Sequence, residues 1–227
     1  MELSQNSEIP AEGYQLSVTN DKVVVEANSR LGFVYALETI RQLLPKEVES
    51  RSIVSNINWT IPNVEILDAP QYSWRGSMLD VSRHFFGKEY IKAHLDRMAF
   101  LKLNTFHFHL VDDQGWRIEI KKYPKLTEVG AFRVNQEEKH WNARSVNDLE
   151  TKATYGGYYT QDDIKEIVAY AQEKGIRIIP EIEMLSPRNE CNCFLSLAFL
   201  YWRTYRCSFR RCLAYYQYLL CRKGVYI

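Results

Sequence analysis

Arg83 and His84, then Asp112, Asp113 and Trp116, are the residues whose types and spacing suit chemistry. Each group closes an apolar-rich run. The first run is Trp74-Arg75-Gly76-Ser77-Met78-Leu79-Asp80-Val81-Ser82, and it ends in Arg83-His84-Phe85-Phe86. The second, His107-Phe108-His109-Leu110-Val111, ends in Asp112-Asp113-Gln114-Gly115-Trp116. Guanidinium and carboxylate groups make directed hydrogen bonds to hydroxyls. Aromatic faces cover the apolar C–H surface of a pyranose ring. An arginine–carboxylate cluster beside indole and phenyl rings therefore suits sugar recognition, although Arg83 and Asp112 could equally form a structural ion pair. His107 and His109 share one strand face by period-two geometry. They read either as hydrogen-bonded interior histidines or as ligand contacts. His-x-His followed by Asp112 has the ligand types for zinc, but a nearby arginine opposes a cation, so no metal is expected.

Those residues need strands and helices to bring them together. Gly76 to Ser82 reads as one strand and Asn104 to Val111 as the next. Between them Ile91, Leu95, Met98 and Ala99 fall on a single helix face. Thr160-Gln161-Asp162-Asp163 resembles a capping box, with an aspartate in place of the usual glutamate. Ile164, Ile167, Val168 and Ala171 continue it as a helical stripe, and Gly175 suits the C-terminal cap. Ile176 to Ile182 is a continuous apolar strand of the buried, parallel kind. Strand–helix repeats of this size predict an α/β parallel sheet, either a barrel or doubly wound. A parallel sheet would bring Arg83, His84, Asp112, Asp113 and Trp116 to one rim. The connection from Trp116 to Thr160 is far longer than an ordinary βα loop, which suits a functional loop or an insertion.

Ahead of this lies a smaller unit. Tyr14, Leu16 and Val18 alternate with polar residues, as do Val23, Val25 and Ala27, and Asn20-Asp21 marks the turn of a β-hairpin. Ser29 can cap a helix that runs to Leu44 and stops at Pro45, with Leu31, Tyr35, Leu37, Ile40 and Leu44 as its apolar face. Val64 to Leu67 is a further strand. This unit reads as packing rather than chemistry.

Bulk properties exclude several functions. The chain has 227 residues, 46% of them hydrophobic and 25% charged, and a net charge of +1. Nothing there favours nucleic acid or an anionic surface. No apolar run approaches the roughly 18–20 residues of a spanning helix, so no membrane insertion is expected. Met1-Glu2-Leu3-Ser4-Gln5 lacks the apolar core of a signal peptide. The balance conceals a break, however. From Arg188 onward the only acid is Glu190, against Arg188, Arg203, Arg206, Arg210, Arg211, Arg222 and Lys223. All the cysteines, Cys191, Cys193, Cys207, Cys212 and Cys221, also lie there.

Three runs carry a resemblance. Trp74 to Phe86 holds Arg-Gly-x-Met-Leu-Asp-x-Ser-Arg-His-Phe. Asn104 to Ile120 holds His-x-His-Leu-x-Asp-Asp-Gln-Gly-Trp. Tyr155 to Met184 holds Gly-Gly-Tyr-Tyr-Thr and Ile-Pro-Glu-Ile-Glu-Met. In this order and spacing they resemble glycoside hydrolase family 20, the β-N-acetylhexosaminidases. The resemblance implies a (β/α)8 barrel whose first part spans residues 69–184. It also implies a small α+β domain over 1–68, and terminal N-acetylglucosamine or N-acetylgalactosamine in glycans as the partner. The reaction it implies is substrate-assisted and retaining, and it uses no cofactor. In such a reaction the 2-acetamido oxygen attacks the anomeric carbon. A Glu then protonates the leaving oxygen, and the Asp before it orients the acetamido group. By the same resemblance Arg83 binds hydroxyls of the terminal sugar. Asp112 joins the substrate site and the supporting network behind the acid. His84, His109, Asp113 and Trp116 are rim or support residues.

The sequence also departs from that family. Its catalytic Asp-Glu pair follows the fourth strand, and these 227 residues hold no Asp-Glu dipeptide. The family continues its third strand with Met-Pro-Gly-His, whereas Met184 is followed by Leu185-Ser186-Pro187. Residues 185–227 are therefore expected to be an aberrant, Cys-rich basic tail arising from a frameshift near codon 185. About three barrel strands would remain, poorly folded and without hydrolysis, or else a non-catalytic sugar-binding fragment. Compartment is left open: relatives are commonly periplasmic, extracellular or lysosomal.

Overall fold

The structure, a computed structural model, describes residues 1–112, 114–140, 143 and 152–182. Asp113 and the basic tail at 185–227 lie outside the described residues. The chain divides into two compact units.

The first comprises Met1–Arg75, Leu95–Asn104 and Lys174–Ile176. Its strands are β1 (Glu2–Gln5), β2 (Tyr14–Val18), β3 (Val23–Ala27) and β4 (Val64–Asp68), in the order β1-β3-β2-β4. β2 and β3 form the expected hairpin, closed at Val18 opposite Val23, and β4 pairs antiparallel with β2. Tyr14, Leu16 and Val18 face inward at every second position, as the alternation requires. Helix α1 (Arg30–Leu43) begins at Ser29, whose hydroxyl accepts from the Gly32 amide at 3.5 Å. It ends before Pro45, which holds Leu44 in an extended conformation (φ −72°, ψ 157°).

Of the apolar face expected for α1, Tyr35 is buried and Leu31 and Ile40 pack against the core, whereas Leu37 lies outside it. Gly32, Tyr35, Ala36 and Thr39 are buried, whereas Leu37 is 46% exposed. Close approach of the backbone at Gly32 centres this face on the hairpin. A methyl group at Gly32 would collide with the Gly13 carbonyl and the Ala27 methyl. Small residues thus let the helix settle on the hairpin, and the large apolar residues sit to either side.

The second unit takes in Gly76–His94, Thr105–Glu173 and the chain from Arg177. Strands β5 (Gly76–Asp80) and β6 (Thr105–His109) are linked through helix α2 (Lys88–Phe100), whose last residues belong to the first unit. After β6 come β7 (Val111–Asp112) and β8 (Gly115–Trp116), a short antiparallel pair with Asp112 opposite Gly115. The long connection then holds one helical turn, α3 (Lys125–Glu128), and another small pair, β9 (Phe132–Arg133) with β10 (Tyr155–Gly156). Helix α4 (Gln161–Glu173) leads to β11 (Arg177–Glu181). Its capping box forms as expected: the Asp163 amide donates to Thr160 Oγ1 at 3.1 Å, and the Thr160 amide donates to Asp163 Oδ2 at 3.0 Å. Gly175, at φ +73°, turns the chain out of α4.

β5, β6 and β11 make a parallel sheet in the order β11-β6-β5. Each new strand adds beside its predecessor through a helix, which is how a barrel winds rather than a doubly wound sheet. The fold is α/β: part of a (β/α)8 barrel after a small α+β domain. β5 stops at Asp80, two residues before the expected Ser82. There the Asp80 Oδ1 atom accepts from the amides of Ser82 (2.9 Å) and Arg83 (3.0 Å), closing a local turn that competes with the ladder.

Candidate active site

Parallel register places three residues in one row at the strand C-termini. Asp80 pairs with His109, and His109 pairs with Glu181. The turn after β5 returns Arg83 over this row. Its Nη1 lies 3.0 Å from Asp80 Oδ2 and 3.1 Å from His109 Nε2, and its Nη2 forms an ion pair with Asp112. Two carboxylates and an imidazole therefore fix the orientation of a guanidinium whose side chain stays 30% exposed.

His109 is the buried centre of the network, at 5% exposure. Its Nδ1 meets Glu181 Oε2 at 2.7 Å, and its Nε2 lies 3.1 Å from Asp112 Oδ2. His107, one pleat earlier on the same face, meets the same Glu181 oxygen at 2.5 Å. His109 is thus a hydrogen-bonded interior histidine, whereas the His107 side chain stays 43% exposed. Burial draws the His109 pKa down, but the Glu181 hydrogen bond and the charges of Asp80 and Glu181 outweigh it, so the net shift is upward. Burial alone would raise Glu181; its bonds to His109 and His107 reverse that and hold it below the ordinary carboxylate range. Neutral His109, protonated at Nδ1, can accept from Arg83 at Nε2. Once protonated, it donates from Nε2 to Asp112 instead.

The other expected site residues lie elsewhere. His84 points away from the row, 49% exposed, with Nδ1 at 2.7 Å from Glu137 Oε2 and its ring against Phe86 and Tyr155. Trp116 is half-buried in β8 and donates its indole N–H to the Ile118 carbonyl at 2.7 Å. Thus Arg83, Asp112 and His109 come together, whereas His84 belongs to a neighbouring cluster and Trp116 has a structural bond. Asp80 and Glu181 complete the network. Both are acids inside apolar strand runs, and the parallel register is what brings them beside His109.

A parallel strand rim bearing an arginine braced by carboxylates is where an α/β barrel carries its functional side chains. The family model for the catalytic domain of glycosyl hydrolase family 20 matches residues 72–187, and that for domain 2 of the same family matches residues 1–69. The chain belongs to glycosyl hydrolase family 20. It is 46% identical over 173 residues to a beta-hexosaminidase of Porphyromonas gingivalis, covering 76% of this chain and 20% of that protein. Among solved structures, an exo beta-N-acetylglucosaminidase of Vibrio harveyi in complex with N-acetylglucosamine matches with TM-score 0.66 and 38% identity, covering 79% of this chain and 26% of that one. A beta-N-acetylhexosaminidase of Bacteroides fragilis matches with TM-score 0.68 and 34% identity, covering 88% and 35%. The chain thus spans about a fifth of the length of the first curated relative. Among the described residues no helix is long and apolar enough to cross a membrane.

Proposed function

We propose that this chain carries the sugar-recognition half of a β-N-acetylhexosaminidase site. That site removes terminal non-reducing N-acetylglucosamine or N-acetylgalactosamine by substrate-assisted, retaining catalysis. One observation carries the reading: Arg83 is held by Asp80, Asp112 and His109 at the C-terminal rim of a parallel sheet. Preorganised in this way, its guanidinium pays little ordering cost when it donates to sugar hydroxyls. The Vibrio harveyi relative, solved with N-acetylglucosamine, supports the ligand class. Asp112 and His109 form the polar layer behind, suited to tuning a neighbouring acid.

The chemistry itself needs an acid and an acetamido-orienting carboxylate, and no Asp-Glu dipeptide occurs in these 227 residues. We take 1–68 as the small domain, 69–184 as the first part of the barrel and 185–227 as a frameshifted tail. Purified 227-residue protein should release no aryl alcohol from an aryl N-acetylglucosaminide, and clear turnover defeats that part of the reading. The nucleotide sequence around codon 185 tests the tail: an adjacent frame restoring Pro-Gly-His is expected, and an intact frame without it is the contrary result. A sugar-binding fragment without hydrolysis is the second reading. The Arg83 network favours it, because recognition does not require the missing pair.

A further inference from the structure

We infer that Arg117 is the positioning residue that sets Arg83, and with it sugar recognition; the second half rests on the function proposed above. Arg117 follows β8 and is completely buried, at 0% exposure. Its Nε donates to the Val81 carbonyl at 3.1 Å, and its Nη2 to the Ser82 carbonyl at 2.8 Å. Its Nη1 donates to the carbonyls of Ala131 (2.5 Å) and Gly157 (3.1 Å). All four bonds go to main-chain oxygens. Burying a cation is costly where no full negative charge answers it. Burial, reinforced by the charge of Arg133, accordingly draws the Arg117 pKa down to about 10. A position that served packing alone would be filled better by an apolar side chain.

The carbonyls it gathers show what the cation does. Val81 and Ser82 immediately precede Arg83, and the peptide plane fixed at Ser82 is the one that leads into Arg83. On its other sides the Arg83 backbone is held by Asp80 Oδ1 at its amide (3.0 Å) and by Arg133 Nη2 at its carbonyl (3.0 Å). Asp112, the other partner of Arg83, is fixed from the same centre. It lies opposite Gly115 in the β7–β8 pair, and Ser82 Oγ donates to the Gly115 carbonyl at 2.8 Å. A methyl group at Gly115 would fall on the Arg117 guanidinium, 2.7 Å from Nε. One buried side chain thus determines the backbone on both sides of the Arg83–Asp112 pair. In the resembling run Asp-Asp-Gln-Gly-Trp, glycine leaves room for the guanidinium two residues on.

The test uses the 227-residue chain with Arg117→Met, Arg117→Lys and Gly115→Ala. Two quantities are measured well below each protein's melting temperature: the NMR signal of Arg83 Nε–H, assigned with Arg83→Lys, and the affinity for N-acetylglucosamine. Arg117→Met and Gly115→Ala are expected to shift and broaden the Arg83 signal and to weaken sugar binding tenfold or more. Arg117→Lys should recover part of both. A general loss of stability would not move an Arg83-specific signal in protein that is still fully folded. An unmoved Arg83 signal in folded Arg117→Met overturns the inference. Should that variant fail to fold, an unmoved signal in Gly115→Ala, which keeps the charge, overturns it equally. A responsive Arg83 signal in a protein that never binds the sugar upholds the positioning role and removes the sugar reading.

Discussion

Arg83 and Asp112 draw attention in the sequence because each stands just past an apolar run. Asp80 and Glu181 stand within such runs and look like strand residues until register aligns them with His109. Glu181 is the strongest influence raising the His109 pKa, so Glu181→Gln should let it fall. An NMR titration of the His109 ring checks this, and an unchanged midpoint would show that Asp80 and Asp112 suffice. The signs for stability follow from the two directions. His109 titrates higher folded than unfolded, so its contribution is complete below the ordinary 6.5 and is lost as pH rises through the higher folded value. Glu181 titrates lower folded, so its contribution is present above the ordinary 4.5 and is lost as pH falls through the lower folded value. The network should therefore be most stabilising between those limits, and denaturant midpoints measured across pH should peak there.

Elements were legible where local signals agreed. The β2–β3 hairpin, the Ser29 and Thr160 caps and the three parallel strands follow from alternation, capping residues and apolar runs. β1 does not, because Glu2–Gln5 is exposed throughout and becomes a strand only by pairing in parallel with β3. The β9–β10 pair is likewise a tertiary product. On α1 the apolar stripe locates Leu31, Tyr35 and Ile40 on the core, but not the small residues Gly32 and Ala36 that permit the close approach, and Leu37 lies outside it. That correction can be measured. Leu37→Ala should cost under about 0.5 kcal/mol as an exposed change. Ala36→Leu should cost about 1–3 kcal/mol by overpacking. Similar losses in urea denaturation would return Leu37 to the buried face. Asp163→Ala should cost about 1 kcal/mol through its share of the capping box.

At the scale of the molecule, the described part of the barrel has three neighbouring strands, and among the described residues β5 and β11 each pair on one side only. Parallel edges of this kind invite pairing with another copy. Sedimentation of the 227-residue chain should show mass rising with concentration, and a concentration-independent monomer would be the contrary result.

The central claim, that Arg83 is held ready for a terminal N-acetylhexosamine, has a direct test at low protein concentration. Titration of the 227-residue chain with N-acetylglucosamine, followed by NMR, should show saturable binding that is abolished in Arg83→Ala. Binding that persists unchanged in Arg83→Ala, or no binding by the unaltered chain, would contradict it.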